Sequence, residues 1–144
     1  MGAPIVHWEI NTKNPGKVFD FYKNLFGWQI NPAPGIDYGL VITGSKNGID
    51  GGIGGVQGDT PAYSVVYAEV DDPQAALDKA VSLGATVVTP VTEIPNMVTF
   101  AQFRDPDGNM FGIVKSTERP STRRKKRSPR KKAGRTKTKR RSRR

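Results

Sequence analysis

The sequence has no cysteine. That excludes disulfide bridges, thiolate metal sites and a cysteine nucleophile, and it leaves the redox compartment open. Histidine is nearly absent too, with His7 as its single occurrence. No apolar run approaches the roughly 20 residues of a membrane span. The N-terminus, Met-Gly-Ala-Pro-Ile-Val, has no basic region and passes straight into a strand pattern, which argues against a signal peptide. Gly2 is not followed by the Ser or Thr of a myristoylation signal. The expectation is a soluble cytoplasmic protein without a membrane partner. Positive charge is also scarce at first: residues 1–115 hold seven Lys/Arg against twelve Asp/Glu, a net of −5. Residues 116–144 then hold sixteen Lys/Arg and one acid, Glu118, a net of +15. The overall +10 describes neither part.

What is present is a repeat. Residues 5–58 and 62–115 read as two copies of one pattern. In the first, an alternating segment Ile5–Asn11 meets Pro15, a helical stretch runs to Gly27, and strand-like pieces follow at Trp28–Ile30, Tyr38–Thr43 and a Gly-rich segment ending at Val56. In the second, Tyr63–Val70 meets Pro73, a helix runs to Gly84, and Thr86–Thr89, Val98–Phe103 and Met110–Val114 follow. Pro15 and Pro73 stand 58 positions apart, Gly27 and Gly84 57. Each copy is too short to bury a sheet face alone, so the two should pack into one domain, residues 1–115.

Local chemistry supports these elements. Val6, Trp8 and Ile10 should point to one side of the first strand, His7, Glu9 and Asn11 to the other. Asn14-Pro15 and Asp72-Pro73 each pair an N-cap with a proline suited to the first helical turn. Val18, Phe19, Tyr22, Leu25 and Phe26 form one helical stripe; Ala76, Leu77, Ala80, Val81 and Leu83 form the other. The glycines at 51, 52, 54 and 55 allow two readings. They weaken a strand before the linker, or they mark close approach of a ligand or partner chain. Asp105-Pro-Asp-Gly-Asn109 reads as a hairpin turn rather than a calcium loop.

Taken as a set, the doubled strand–helix–three-strand order, Phe21-Tyr22…Phe26-Gly27-Trp28 and Phe103-Arg-Asp-Pro-Asp-Gly-Asn109 resemble the vicinal oxygen chelate superfamily. That superfamily includes glyoxalase I, extradiol dioxygenases, and fosfomycin and bleomycin resistance proteins. The resemblance covers residues 5–115. It implies an α+β fold in which two βαβββ modules, 5–58 and 62–115, form one curved mixed sheet cupping a cavity, with the helices outside. His7 and Glu9 would then face the cup. Many such proteins dimerise, so a homodimer is expected, with residues 51–56 as a candidate contact. Metal-dependent members carry ligands at four strand positions, two per module. Carried over, the first falls on His7, its counterpart on Val65, the third on Gly112, and the fourth within 51–56, where no His, Glu or Gln precedes Gln57. One ligand of four survives, and firm binding of a divalent ion needs about three or four. The expectation is no metal and no cofactor.

The candidate pocket residues are His7, Glu9, Tyr38, Tyr63, Tyr67 and Gln102. His7 and Glu9 share a strand face at roughly 7 Å spacing. A histidine beside a carboxylate is a candidate general acid/base near neutral pH, with Glu9 as the orienting group; the alternative is a cavity-lining pair without chemistry. The tail offers Arg123, Arg124, Lys125, Lys126, Arg127, Arg130, Lys131, Lys132, Arg135, Lys137, Lys139, Arg140, Arg141, Arg143 and Arg144. With no aromatic residue among them, base stacking is excluded, and phosphate neutralisation gives non-specific, salt-dependent binding to DNA or RNA. Such composition should be disordered in isolation. The same clusters would suit a nucleoid-associated protein, or a nuclear signal in a nucleated cell. Three functions therefore compete: a metal-free small-molecule binder tethered to nucleic acid, a structural or dimerisation scaffold whose tail does the binding, and a metal-independent enzyme using His7 and Glu9.

Overall fold

In the computed structural model, which describes residues 1–117, each half of the chain opens with a strand and a capped helix. The first half contains β1 (Ile5–Thr12), α1 (Pro15–Phe26), β2 (Gln29–Pro32), β3 (Tyr38–Ile42) and β4 (Gly51–Gly55). The second contains β5 (Tyr63–Glu69), α2 (Pro73–Ser82), β6 (Thr86–Ile94), β7 (Val98–Arg104) and β8 (Met110–Ser116). The N-caps act as the sequence suggests. The Asn14 side chain accepts from the Lys17 amide at 3.2 Å, and that of Asp72 from the Ala75 amide at 3.0 Å. Gly27 closes α1 in the left-handed region at φ 69°, a geometry open to glycine at little steric cost.

The eight strands make one curved sheet in the order β2-β3-β4-β1-β5-β8-β7-β6. It is mixed: β1 and β4 are parallel, as are β5 and β8, and the remaining pairs are antiparallel. At the seam Trp8 lies opposite Val66, its own counterpart 58 positions on. An antiparallel pair centred on equivalent residues is what a twofold relation between the halves requires. Following the register outwards, Ile10, Ile53, Ala101 and Ile113 share one face of the sheet. That face carries both helices, since Ile53 packs with Val18 and Phe19 of α1, and Ala101 and Ile113 with Leu77 of α2. The other face is the concave one.

Three expectations change. Val6 does not join Trp8 and Ile10 in the helix-side cluster; it packs with Val65, Tyr67 and Val114. A bulge between Ile5 and His7 inserts one unpaired residue and breaks the alternation there. The helical stripes fade in the last turn: Leu25 and Phe26 are more than half exposed, and so is Leu83. Finally, the second copy's strand runs from Thr86 to Ile94, through Pro90. β6 is an edge strand, where a proline need not remove a ladder bond. At its other end the described chain stays tied down, with the Thr117 hydroxyl donating to the Met97 carbonyl at 2.9 Å. The expected disordered tail and its cations, Arg123 to Arg144, lie outside the described residues.

Candidate functional site

The concave floor is built at the seam, where β1 places His7, Glu9 and Asn11 beside Tyr67, Val65 and Tyr63 of β5. Two tyrosines then reach across glycines. Tyr38 starts on β3, and its ring crosses the backbone of β4 over Gly52 to bring its hydroxyl 2.7 Å from His7 Nε2 on β1. Any Cβ at Gly52 would collide with that phenol. Tyr67 lies likewise against Gly112 of β8. The glycine crowding between 51 and 55 therefore reflects close approach by the chain's own side chains: Trp8 at Gly51, Tyr38 at Gly52 and Asp37 at Gly55. The segment is an internal strand of the sheet rather than an edge open to a partner.

A continuous polar network results. The Tyr67 hydroxyl donates to Glu9 Oε1 at 2.7 Å and accepts from Gln102 Nε2 at 2.6 Å. The Gln102 carbonyl accepts from Thr89 at 3.1 Å and, more loosely, from the Tyr63 hydroxyl at 3.5 Å. Glu9 Oε2 stands 3.7 Å from the same His7 nitrogen that meets Tyr38. Thus Glu9 and Tyr38 share one nitrogen of the imidazole, in place of the triad arrangement in which carboxylate and reacting group take opposite ring nitrogens. All six residues singled out from the sequence, His7, Glu9, Tyr38, Tyr63, Tyr67 and Gln102, fall in this network. Asn11 and Thr89 belong to it as well. Asn11 was signalled by its alternation with His7 and Glu9; Thr89 had no signal, because its strand resembled any Thr/Val strand.

The electrostatics follow from burial and bonding. Burial pushes the Glu9 carboxyl upward, but hydrogen bonds from His7 and Tyr67 and the charge of His7 more than offset it. Glu9 therefore sits below the usual carboxylate range and is ionised at neutral pH. Tyr38 and Tyr67 are pushed far upward, first by burial and then by the Glu9 charge. Both phenols stay protonated; Tyr67 donates to the carboxylate, and Tyr38 meets His7. The array can hold a negative charge on Glu9 and transfer a proton at His7; it offers no strong base in Glu9 itself.

The residues do not suit a divalent ion. Of the four ligand positions, Val65 and Gly112 have no donor. Glu9 pairs with Gly52 and Tyr67 with Gly112 in equivalent registers, which identifies Gly52 as the fourth position, also without a donor. Among the described residues no three His, Cys, Asp or Glu side chains gather as ligands. The Asp105 carboxylate is likewise committed to its turn, accepting from the Asn109 side chain at 2.8 Å and from the amides of Asn109 and Asp107 at 2.9 Å. Those bonds, led by the Asn109 side chain, hold it below the usual range.

Two clefts adjoin the network. One of about 290 Å³ touches Glu9, Val65 and Met110 but is lined mostly from the helix side, by Trp8, Ile10, Ser64 and Val66. The larger, about 470 Å³, runs between the 55–62 connection and β5, β6 and β7, with Tyr63, Thr89, Gln102 and Arg104 on its walls. Neither is bounded by His7, Tyr38 or Tyr67. Arg104 was passed over in the sequence because its neighbours read as a turn. No helix among the described residues is long and apolar enough to cross a membrane.

A family model described as the Glyoxalase/Bleomycin resistance protein/Dioxygenase superfamily matches residues 4–113. In sequence, "Putative glyoxylase CFP32" of Mycobacterium bovis and its Mycobacterium tuberculosis equivalent are each 29% identical over 110 residues. The aligned region is 74% of this chain and 42% of those relatives, so the chain spans about two fifths of their length. In structure, a methylmalonyl-CoA epimerase from Mycobacterium tuberculosis superimposes with a TM-score of 0.58 at 13% identity, over 79% of this chain and 88% of that one. A Legionella pneumophila protein described as NAD-dependent benzaldehyde dehydrogenase gives 0.57 at 17%, over 76% and 97%. At these identities the likeness is one of fold.

Proposed function

The chain belongs to the Glyoxalase/Bleomycin resistance protein/Dioxygenase superfamily, and from that premise we propose that its body binds a small organic molecule on the concave face without a protein-held metal ion, while residues 116–144 hold it to nucleic acid. The observation carrying the first part is what occupies the ligand positions. Gly52 and Gly112 have no side chain, and protonated tyrosines lie over both. The floor holds instead one carboxylate that accepts from the Tyr67 phenol at 2.7 Å, with His7 Nε2 3.7 Å away. The larger cleft, about 470 Å³, falls within the usual small-molecule range of roughly 300–1,000 Å³. The second part is supported by composition alone: sixteen cations and one acid in 29 residues.

A second reading has its own support. The network's donors and acceptors largely satisfy one another, as a structural core would. On that reading the body is a scaffold or dimerisation unit, and the tail performs the main activity. If the body is an enzyme, His7 is the group that moves the proton, with Glu9 and Tyr38 both at its Nε2.

One comparison tests the tail. Full-length protein and a chain ending at Ser116 are titrated with scrambled duplexes at several salt concentrations. Engagement of about six phosphates should weaken full-length binding roughly a thousand-fold between 50 and 200 mM salt, and the short chain should not bind. Equal binding by both, or binding indifferent to salt, defeats the tethering half. Native mass spectrometry of the full chain tests the other half. A retained organic ligand supports it, and a stoichiometric metal lost on His7→Ala overturns the metal-free reading.

A further inference from the structure

We propose that the cleft of about 470 Å³ is a carboxylate subsite, in which Arg104 takes the acid group of a ligand whose remainder is apolar. The inference rests on the small-molecule function above and names its ligand class. Apolar wall is supplied by Val56, Pro61, Val88 and Met110. Of the neutral polar groups, Thr89 and Tyr63 both direct their hydroxyls to the Gln102 carbonyl, while Gln57 and Thr60 stand on the 55–62 side. Arg104 is the single charged residue on the wall. It gives one N–H to the Gly108 carbonyl at 2.9 Å, out of the five a guanidinium carries. Among the described residues no carboxylate comes within 4 Å of it. The neighbouring Asp105 is occupied by Asn109 and Asp107.

A guanidinium with free donors at the edge of an apolar cleft matches the planar geometry of a carboxylate. The rest of the body works against an anion, since residues 1–115 carry −5. Selectivity for an acid at this cleft therefore has to come from Arg104. The neutral body of the ligand would lie along Val88 and Met110, with its far end toward Gln102 and the network beyond.

The test uses full-length protein and a shape-matched pair of probes, 4-phenylbutyrate and 4-phenylbutyramide, titrated by calorimetry. Arg104→Gln and Arg104→Lys are run alongside, with thermal melting as the check on folding. The expected result is an acid-over-amide preference of about tenfold or more in the parent, the size of one charge-assisted hydrogen bond. It should shrink to near one in Arg104→Gln and persist in part in Arg104→Lys. Equal binding of acid and amide by the parent overturns the carboxylate assignment while leaving small-molecule binding intact. A preference that survives in Arg104→Gln places the acid elsewhere, with the basic tail as the alternative, and also overturns it. No binding of either probe up to about 20 mM rejects the subsite, and a ligand retained in native mass spectra would then show that the broader reading still holds.

Discussion

The two halves of the sheet have one backbone plan and divide the chemistry of the floor between them. On β1 the concave positions are His7, Glu9 and Asn11; their counterparts on β5 are Val65, Tyr67 and Glu69. The first half thus supplies the half-buried His7–Glu9 pair, and the second supplies neutral partners for it, Tyr63, Tyr67, Thr89 and Gln102, beside an apolar cluster in which Val65, Tyr67 and Val114 pack with Phe100 and Met110. Only the glycines, Gly52 and Gly112, are the same on both sides, each under a tyrosine. The tyrosines differ in origin: Tyr38 arrives from β3, two strands away from His7, whereas Tyr67 stands on the central strand β5 beside the glycine it covers. A repeat can keep its fold while one copy supplies the carboxylate and the other supplies the buried hydroxyl and amide that hold it. The bond from Tyr67 to Glu9 is where the two meet.

The glycines give the largest test of that comparison. At Gly112 a new Cβ meets the body of the Tyr67 ring, and Tyr67 is only 3% exposed. At Gly52 it meets mainly the far end of Tyr38, which is half-buried and can swing. Gly112→Ala should destabilise by about 3 kcal/mol, the upper part of the usual range for overpacking, and Gly52→Ala by about 1 kcal/mol. Urea unfolding of both variants measures the difference. If Gly52→Ala proves the more damaging, Tyr38 is the rigid member and the assignment of roles is reversed.

The fold was legible because it is redundant. Two copies repeat the caps Asn14-Pro15 and Asp72-Pro73, so each helix start was marked twice. The concave residues were legible through the period of two along β1 and the offset of 58 to β5. What escaped was local or tertiary. The Val6 bulge leaves no mark in composition. The glycines at 51–55 signalled close approach, but sequence could not say that Trp8, Tyr38 and Asp37 make it, because those contacts depend on strand order. Arg104 was hidden by a strong turn signature next to it, and its place at the cleft follows from the curvature of the whole sheet.

A middle-sized effect is expected where the halves join. Tyr67→Phe removes a hydroxyl that donates to an ionised carboxylate and accepts from the Gln102 amide. Leaving both partners short in a buried setting costs about 2 kcal/mol. Tyr38→Phe removes a comparable bond at a more exposed place, and should cost about 1 kcal/mol or less. If denaturation curves give equal losses for the two phenols, the seam bond has no special weight, and the halves are joined by packing alone.

The smallest effect separates charge from shape at Glu9. Its carboxyl is held below the ordinary value in the folded protein, with the bonds from His7 and Tyr67 outweighing burial. A group whose folded pKa is depressed stabilises the fold fully above its unfolded pKa, and that contribution fades as pH falls through the folded value. The unfolded reference here is 4.5. Glu9→Gln keeps the size and loses the charge, so at pH 7 it should be less stable than the parent by about 1 kcal/mol, less than a whole hydrogen bond to a charged partner because the amide oxygen still accepts. As the pH falls from 4.5 through the lower folded value, the parent's Glu9 also becomes neutral, and the gap should close. The other carboxylates titrate in both proteins and drop out of the difference. Urea midpoints of the pair at intervals from pH 7 to pH 3 would trace this convergence. A gap constant over that range would mean that the polar floor is held by shape, as the apolar cluster is, and that the division between the halves is not electrostatic in origin.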